Sequence, residues 1–235
     1  MNETNKKTAE KAFFTTKSFW LFLGEIPAAA VAALTFSIGV PIYFRPFYYF
    51  CVRLFKIEET SGYSSEVILD AYQKLMDYLL FGKEFSTGAL LYSAEGKAHF
   101  EDCKVLFDLD RNAFLISMTV LIALIGIRQL TKTPAFYVKD RFGVGFFAGI
   151  LAVALPAVFG IYAMTDFNRA FVLFHKVFFP GKSNWMFNPY TDQIINVLPE
   201  EFFAACGALI GIVLLILSVI MIVTGIRKGR RKVVE

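Results

Sequence analysis

The chain has 235 residues, of which 56% are hydrophobic and only 19% are charged, and its formal net charge is +4. Soluble domains average about 25% charged and 45–50% apolar residues, so this composition indicates a membrane protein. The positive charge does not indicate a nucleic-acid partner, because membrane orientation and anionic lipid head groups account for the basic residues.

Four stretches without Asp, Glu, Lys or Arg are long enough, or nearly so, to cross a bilayer, which takes about 20 residues. They lie at residues 26–44, 112–127, 142–165 and 202–226. The second stretch is short, but Arg111 and Arg128 at its ends can extend their charged groups to the membrane surface. The sequence therefore predicts an all-α fold: one integral membrane domain with four transmembrane helices.

The lysines and arginines next to these stretches predict the orientation in the membrane. They concentrate before the first stretch (Lys6, Lys7, Lys11 and Lys17), between the second and third (Arg128, Lys132, Lys139 and Arg141) and after the fourth (227–232). Because basic residues favour the cytoplasmic side, both termini are predicted to be cytoplasmic. The longer connections, 45–111 and 166–201, then form a small helical and loop cap on the outer face of a cell membrane.

Residues 65–81 have apolar side chains at helical spacing on one face, which predicts an amphipathic helix after a turn at 61–64. Residues 82–92 contain Gly82 and Gly88 and predict a loop or hairpin. A further helix is predicted to start at Ser93 and lead into the second span, which places His99 about 20 Å before Asn112 along the axis. This helix must then tilt strongly, break near Leu109, or belong to a cap that lipid head groups enter.

The chain has two histidines, His99 before the second span and His175 after the third, and both fall in the predicted outer loops. Histidine is the side chain best suited to moving protons near neutral pH, so the pair predicts acyl or ester chemistry at a membrane face. Asp102 lies one helical turn after His99 and could orient it, although a solvated or capping acid is an equal alternative.

Other site types have weaker support. Each histidine alone also fits a hydrogen-bonded interfacial residue, and His-x-x-Asp with one distant histidine is weak spacing for a metal, so no metal is predicted. The chain lacks a Gly-x-Ser-x-Gly elbow, a Walker loop and a dinucleotide fingerprint, so no cofactor is predicted. Its three cysteines are interpreted as ordinary residues, with a Cys51–Cys103 disulfide left open.

Several of these segments resemble a family of bacterial integral membrane proteins, once called a domain of unknown function, whose characterised members are lipoprotein intramolecular transacylases. The resemblance covers most of the chain from the first span to the fourth. The similar segments are the six residues from His99 to Lys104, Asp166-Phe167, the six residues from Phe174 to Phe179, Trp185, Asp192 and the six residues from Leu198 to Phe203. Cys103 stands where the family pattern has valine.

The resemblance implies a substrate and a reaction. The substrate is a lipoprotein whose N-terminal cysteine carries a thioether-linked diacylglycerol, and the sn-2 acyl chain moves to the α-amino group of that cysteine. We expect His99, His175 and Asp102 to be catalytic, and Phe174, Phe178 and Trp185 to bind the substrate. His99 is expected to remove the amine proton while His175 acts on the ester oxygens, although the reverse assignment fits the sequence equally well.

The sequence also allows two other functions. The chain could be a non-catalytic membrane assembly or sensing subunit that binds a partner through its outer loops. A different head-group hydrolase or acyltransferase is a third interpretation. In each case the expected surroundings are membrane lipids, and the sequence does not indicate an oligomeric state.

Overall fold

The computed structural model describes the backbone of residues 3–226 and the side chains from Thr15 onward, Leu155 excepted. These residues form eight α-helices and one 3₁₀ helix, with no β-strand in the described part of the chain. The helices are α1 Glu3–Tyr43, α2 Pro46–Leu54, α3 Ile57–Ser61, α4 Ser65–Phe81, α5 Ala94–Leu130, α6 Val144–Thr165, α7 Phe167–Phe178, the 3₁₀ helix η1 Gln193–Asn196, and α8 Glu200–Gly225.

Among the described residues, four helices are long and apolar enough to cross a membrane: α1 from Thr15, α5, α6 and α8. The predicted all-α fold with four transmembrane helices is therefore confirmed. The side chains of Lys6, Lys7 and Lys11 and the basic segment 227–232 lie outside the described residues. The cytoplasmic placement of both termini stays a prediction.

Helix α5 is continuous over 37 residues and is therefore about 55 Å long. A bilayer core is about 30 Å thick and takes about 20 residues, so roughly half of α5, centred on the uncharged part 112–127, needs to lie in hydrocarbon. The preceding part carries acidic and basic side chains and contains His99. Of the three geometries expected for this helix, a break near Leu109 is excluded.

The chain divides into two compact units, and the prediction of a single domain stays a prediction. The first unit contains Met1–Ser37, Ala113–Ala157 and Ile212–Glu235. Its apolar core joins alanines of α1 and α6 to Leu214 of α8. Glu25 and Arg128 form a two-pronged ion pair at 2.9 Å on both contacts, and Arg128 also donates to the Pro134 carbonyl at 2.7 Å. This pairing satisfies the two charges where they are withdrawn from water.

The second unit contains Ile38–Asn112 and Val158–Gly211 and holds both histidines. In its core the Tyr48 ring stacks on Tyr72 with the ring centres 3.8 Å apart, and the Tyr48 hydroxyl donates to the Val197 carbonyl at 2.7 Å. Helix α4 has the predicted bounds, with Ser64 capping its first turn and Gly82 ending it at a φ of 65°. Helices α2 and α3 are present in the structure but are not predicted from the sequence.

A hydrogen-bonded clamp fixes the start of α5 within this unit. The buried Asp192 carboxylate accepts from the Ser93 amide at 2.8 Å and from the Ser93 hydroxyl at 2.7 Å. The Ser93 hydroxyl in turn accepts from the Gly96 amide at 2.9 Å, which caps the helix. Leu91 and Gln193 exchange two further bonds at 2.9 and 3.0 Å. The clamp thus fixes where α5 begins and, with it, the position of His99 in the first turns of this helix.

Candidate active site

The two histidines meet in the second unit, one on α5 and one on α7. Their ring centres are 5.7 Å apart, with an angle of 37° between the ring planes. His99 is 6% exposed and His175 is 7% exposed. The two histidines, which the sequence places in separate loops, therefore lie close together, and both are withdrawn from water, where a proton donor or acceptor acts without competition from solvent.

The sequence of α7 explains why His175 is buried. Asp166 caps the helix by accepting from the Arg169 amide at 3.0 Å, which fixes where the turns begin. Ala170 and His175 then face inward, while Leu173, Phe174, Val177 and Phe178 are exposed. His175 thus points inward from a helix whose other apolar side chains are exposed.

One ring nitrogen of His175 is committed to the helix backbone. Nδ1 lies 2.8 Å from the Phe171 carbonyl oxygen, one turn earlier. Because a carbonyl only accepts, Nδ1 must carry the proton, and in the neutral ring Nε2 is then the proton acceptor. Burial lowers the pKa of His175 below 6.5, and the bond to Phe171 opposes part of that effect. His175 is therefore a neutral base near pH 7, with its free nitrogen defined.

The environment of His99 is different. Nε2 lies 3.4 Å from the Cys103 sulfur, and Nδ1 is buried with no hydrogen-bond partner in the part of the chain that the structure describes. Burial, together with the charge that His175 can carry, lowers the pKa of His99 to about 4. Burial raises the pKa of the Cys103 thiol to about 12, so the sulfur keeps its proton. The contact fits either tautomer of His99, and in the one that accepts the S–H at Nε2 the ring proton lies on Nδ1.

Aromatic rings surround the pair. Trp185 stacks on His175 with the ring centres 4.7 Å apart, and its indole nitrogen donates to the Lys182 carbonyl at 3.1 Å. Phe179 is buried and lies against both histidines, 4.9 Å from His99 and 5.6 Å from His175. Phe187 covers His99 at 5.4 Å. These rings cover the two imidazoles with apolar surface, so that the remaining nitrogens, Nδ1 of His99 and Nε2 of His175, are shielded from water.

The three residues expected to bind substrate lie at different distances from the histidines. Trp185 contacts His175 face to face, and Phe174 contacts it edge to face at 5.4 Å. Phe178 packs on Phe174 at 4.6 Å, and the described residues give it no ring contact with either histidine. Phe174 and Phe178 are 37% and 49% exposed, so their rings are accessible to an apolar ligand. Their role in binding stays a prediction.

Asp102 lies on the expected face of α5, but its hydrogen bonds go elsewhere. The carboxylate binds the Lys182 ammonium group and accepts from the Asn184 side-chain amide at 3.1 Å. These two bonds, the first above all, hold the pKa of Asp102 below its usual value. In the described part of the chain Asp102 makes no hydrogen bond to His99. Instead of orienting the histidine directly, it ties α5 to the loop that follows α7.

Four further residues of the site were not predicted from the sequence: Lys182, Asn184, Phe179 and Phe187. Lys182 and Asn184 are the polar residues that follow the helix-ending Pro180-Gly181, among aromatic neighbours. A polar pair in that position is the sequence feature that could have indicated a binding partner for a carboxylate of the other loop. Contacts of this kind join residues 80 or more positions apart, and spacing along one helix does not reveal them.

The arrangement can carry out acyl transfer between neutral groups. His175 offers a defined proton acceptor, and His99 offers a ring nitrogen with no competing partner in the described residues. A nucleophile that loses a proton as it attacks an ester needs a proton acceptor such as His175. The ester oxygen that gains negative charge is stabilised by a hydrogen-bond donor such as His99. Both groups are buried, where such interactions are stronger than in water.

Comparison with known proteins gives matches over most of the chain. A family model described as lipoprotein intramolecular transacylase Lit matches residues 26–203. The in meso structure of the membrane integral lipoprotein intramolecular transacylase Lit from Bacillus cereus is similar, with a TM-score of 0.78 and 24% identity over 88% of this chain and 93% of that chain. A structure of that protein with a histidine-to-arginine mutation gives a TM-score of 0.75 at 22% identity, covering 93% and 94% of the chains.

A curated relative is less informative. An uncharacterized protein of Aquifex aeolicus is 28% identical over 131 residues. The match covers 56% of this chain and 58% of the length of that relative.

Proposed function

Because this chain belongs to the lipoprotein intramolecular transacylase family, we propose that it moves an acyl chain within one lipoprotein molecule. The substrate is a lipoprotein whose N-terminal cysteine carries a thioether-linked diacylglycerol. The sn-2 ester is broken and an amide forms on the α-amino group of the same cysteine. The product is an N-acyl lyso-form lipoprotein with a free glyceryl hydroxyl.

The observation that carries this proposal is the buried histidine pair, with ring centres 5.7 Å apart. The reaction has one proton to move: it leaves the attacking amine and ends on the departing glyceryl oxygen. A histidine pair of this spacing can serve both positions of one small reacting group. An α-amine titrates near pH 8, so a neutral histidine base matches it well.

The hydrogen bonds favour one assignment of the two roles. His175 removes the amine proton through Nε2, because its Nδ1 proton is held by the Phe171 carbonyl. His99 donates from Nδ1 to the ester oxygen that becomes negative, because its Nε2 faces the protonated Cys103 thiol. The glyceryl oxygen then takes its proton from His175 as the tetrahedral intermediate collapses. This order reverses the assignment first expected from the sequence.

The remaining catalytic effect comes from the substrate itself. The amine and the ester belong to one molecule, so an enclosing site that holds them in register gains a large proximity effect. The aromatic rings around the histidines are suited to such holding, because they fix apolar groups without competing for protons. An ester is exchanged for an amide and a hydroxyl, so the reaction balances without a nucleotide or organic cofactor.

The site is proposed to open to the outer leaflet of a bacterial cell membrane. The α7 side chains on either side of His175 are apolar and exposed: Leu173, Phe174, Val177 and Phe178 are 37–62% exposed. On α5, Val105 and Leu109 are exposed between His99 and the apolar span. These surfaces suit the acyl chains of a lipid-anchored substrate, with Phe174 and Trp185 next to the reacting ester.

Mass spectrometry of a lipoprotein N-terminus tests the proposal in cells. Cells that express the chain should yield a lyso form with one acyl group on the α-nitrogen, and cells without it should keep the free amine with both ester-linked chains. Identical N-termini in the two strains would contradict the activity. The alternative of a partner-binding membrane subunit would then be preferred.

A further inference from the structure

The hydrogen bonds of Asn184, which precedes Trp185 in the loop after α7, define which side of its amide is free. Its side-chain nitrogen donates to Asp102 at 3.1 Å. A carboxylate without its proton only accepts, so the NH₂ group must face Asp102 and the amide oxygen must face away from it. That oxygen, Oδ1, is buried and has no hydrogen-bond partner among residues whose side chains the structure describes.

A buried acceptor without a partner is costly, and proteins keep few of them. Here the cost is raised further, because a carboxylate bound to the NH₂ group shifts electron density towards Oδ1. Lys182 is the other ligand of Asp102 and helps keep the carboxylate ionised. The Asp102–Asn184 pair is therefore arranged as a strong hydrogen-bond acceptor next to Trp185, whose ring stacks on His175.

The chemistry of the proposed substrate limits what can donate to this oxygen. The two ester groups, the thioether and the acyl chains carry no N–H or O–H group. At the reacting end of the molecule the donors are the peptide N–H that follows the cysteine and the α-amine, and of these the α-amine is the group that reacts: it has two N–H bonds when neutral and loses one as it becomes an amide. We propose that Asn184 is a substrate-binding residue whose Oδ1 accepts one N–H of this amine, with Asp102 as the positioning residue behind it.

This inference rests on the proposed function and extends it. With one N–H held by Asn184 and the other facing Nε2 of His175, the nitrogen lone pair is turned towards the ester. The amide product keeps one N–H, so the bond to Asn184 persists through the transfer. Asn184 therefore contributes to both binding and orientation, and its loss should raise KM as well as lower kcat.

Two ligands that cannot react isolate the contribution of this hydrogen bond. The first is a lipopeptide with an ether in place of the sn-2 ester and a free α-amine, and the second is the same molecule with the amine replaced by hydrogen. Their Kd values are measured directly on the purified protein in detergent micelles. The wild type should bind the amine ligand about tenfold more tightly, the factor expected for one buried hydrogen bond.

Asn184→Leu should remove this preference and leave the Kd of the ligand without the amine unchanged. Asn168, an exposed amide on α7, provides the matched control, and Asn168→Leu should keep the preference. Asn184→Ala serves as a second variant, with thermal unfolding of each protein to confirm that it is folded.

An unchanged preference in both Asn184 variants would overturn the inference. Equal weakening of both ligands would also overturn it, since that result indicates a purely structural role. Failure of the proposed function gives a different result from failure of this inference. In that case the wild-type protein does not convert the reactive ester lipopeptide. The binding comparison does not depend on that conversion.

Discussion

At the scale of single residues, His99 connects the buried site to the pH dependence of stability. Its folded pKa is about 4, below the ordinary value of 6.5, because burial disfavours the charged ring. A depressed pKa contributes stability that is complete above pH 6.5 and is lost as the pH falls towards 4. The loss attributable to this group is at most about 3 kcal/mol.

We therefore expect the protein in detergent to unfold at lower temperature as the pH is lowered from 6.5 to 4. His99→Gln should flatten this dependence, since glutamine fills a similar volume and does not titrate. Thermal unfolding of the two proteins across this pH range measures the difference. A variant whose unfolding temperature falls as steeply as that of the wild type would show that His99 is not the group responsible.

Cys103 contacts His99 but is not expected to take part in covalent chemistry. Its pKa is raised to about 12, so the thiolate needed for nucleophilic attack is scarce. Cys103→Ser replaces the thiol by another donor and should keep conversion of a lipopeptide within about threefold of the wild type. Conversion is read by mass spectrometry, and loss of all activity in this variant would instead implicate a thiol-bound acyl intermediate.

At the scale of elements, the helices follow largely from local pattern. The bounds of α4 follow from apolar periodicity and from Ser64 and Gly82 at its ends, and the continuous α5 fits the predicted start at Ser93. Helices α2 and α3 were not predicted because Lys56, with a φ of 52°, separates two short pieces that are stabilised by burial of Tyr48 and Ile57. Such tertiary burial leaves little trace in a short sequence window.

The candidate site was predictable to the same limited degree. Two histidines in two predicted outer loops indicate a pair, and in the structure their ring centres are 5.7 Å apart. The partners of Asp102 were not predictable, because Lys182 and Asn184 reach it from a loop whose path depends on Pro180-Gly181 and on the packing of Trp185. The direction of proton transfer also needed the structure, since it rests on a backbone carbonyl one turn before His175.

The Asp102–Lys182 contact should act as one unit that holds the loop after α7 against α5. We expect Asp102→Asn and Lys182→Met each to slow conversion, but less than loss of either histidine, because the contact lies one step from the chemistry. The double variant should be no slower than the worse single variant, since both changes break the same contact. Rates from purified proteins measure this.

An exposed ion pair on α5 supplies the control for that comparison. Lys97 and Glu101 lie 3.9 Å apart at helical spacing and are about half exposed. Exposed pairs of this kind contribute little, so Lys97→Met should leave the rate unchanged. Additive losses in the Asp102 and Lys182 variants would contradict a shared role.

At the scale of the whole molecule, the orientation in the membrane determines which leaflet supplies the substrate. Ser86 and Ser183 are each replaced by cysteine in a background without the native cysteines. Each introduced thiol should react with a membrane-impermeant reagent added to intact cells. A cysteine at Ala135, in the connection between α5 and α6, should react only after the membrane is opened. The opposite pattern would overturn both the topology and the outer location of the site.

The most direct test of the account uses purified protein in lipid vesicles with a synthetic diacylglyceryl-cysteine lipopeptide, and mass spectrometry to locate each acyl chain. The wild type should move the sn-2 chain to the α-nitrogen. General acid–base catalysis contributes about 10²–10⁴-fold, so His99→Ala and His175→Ala should each lose at least about 100-fold while remaining folded. If both variants convert the lipopeptide at the wild-type rate, the histidine pair is not the catalytic centre.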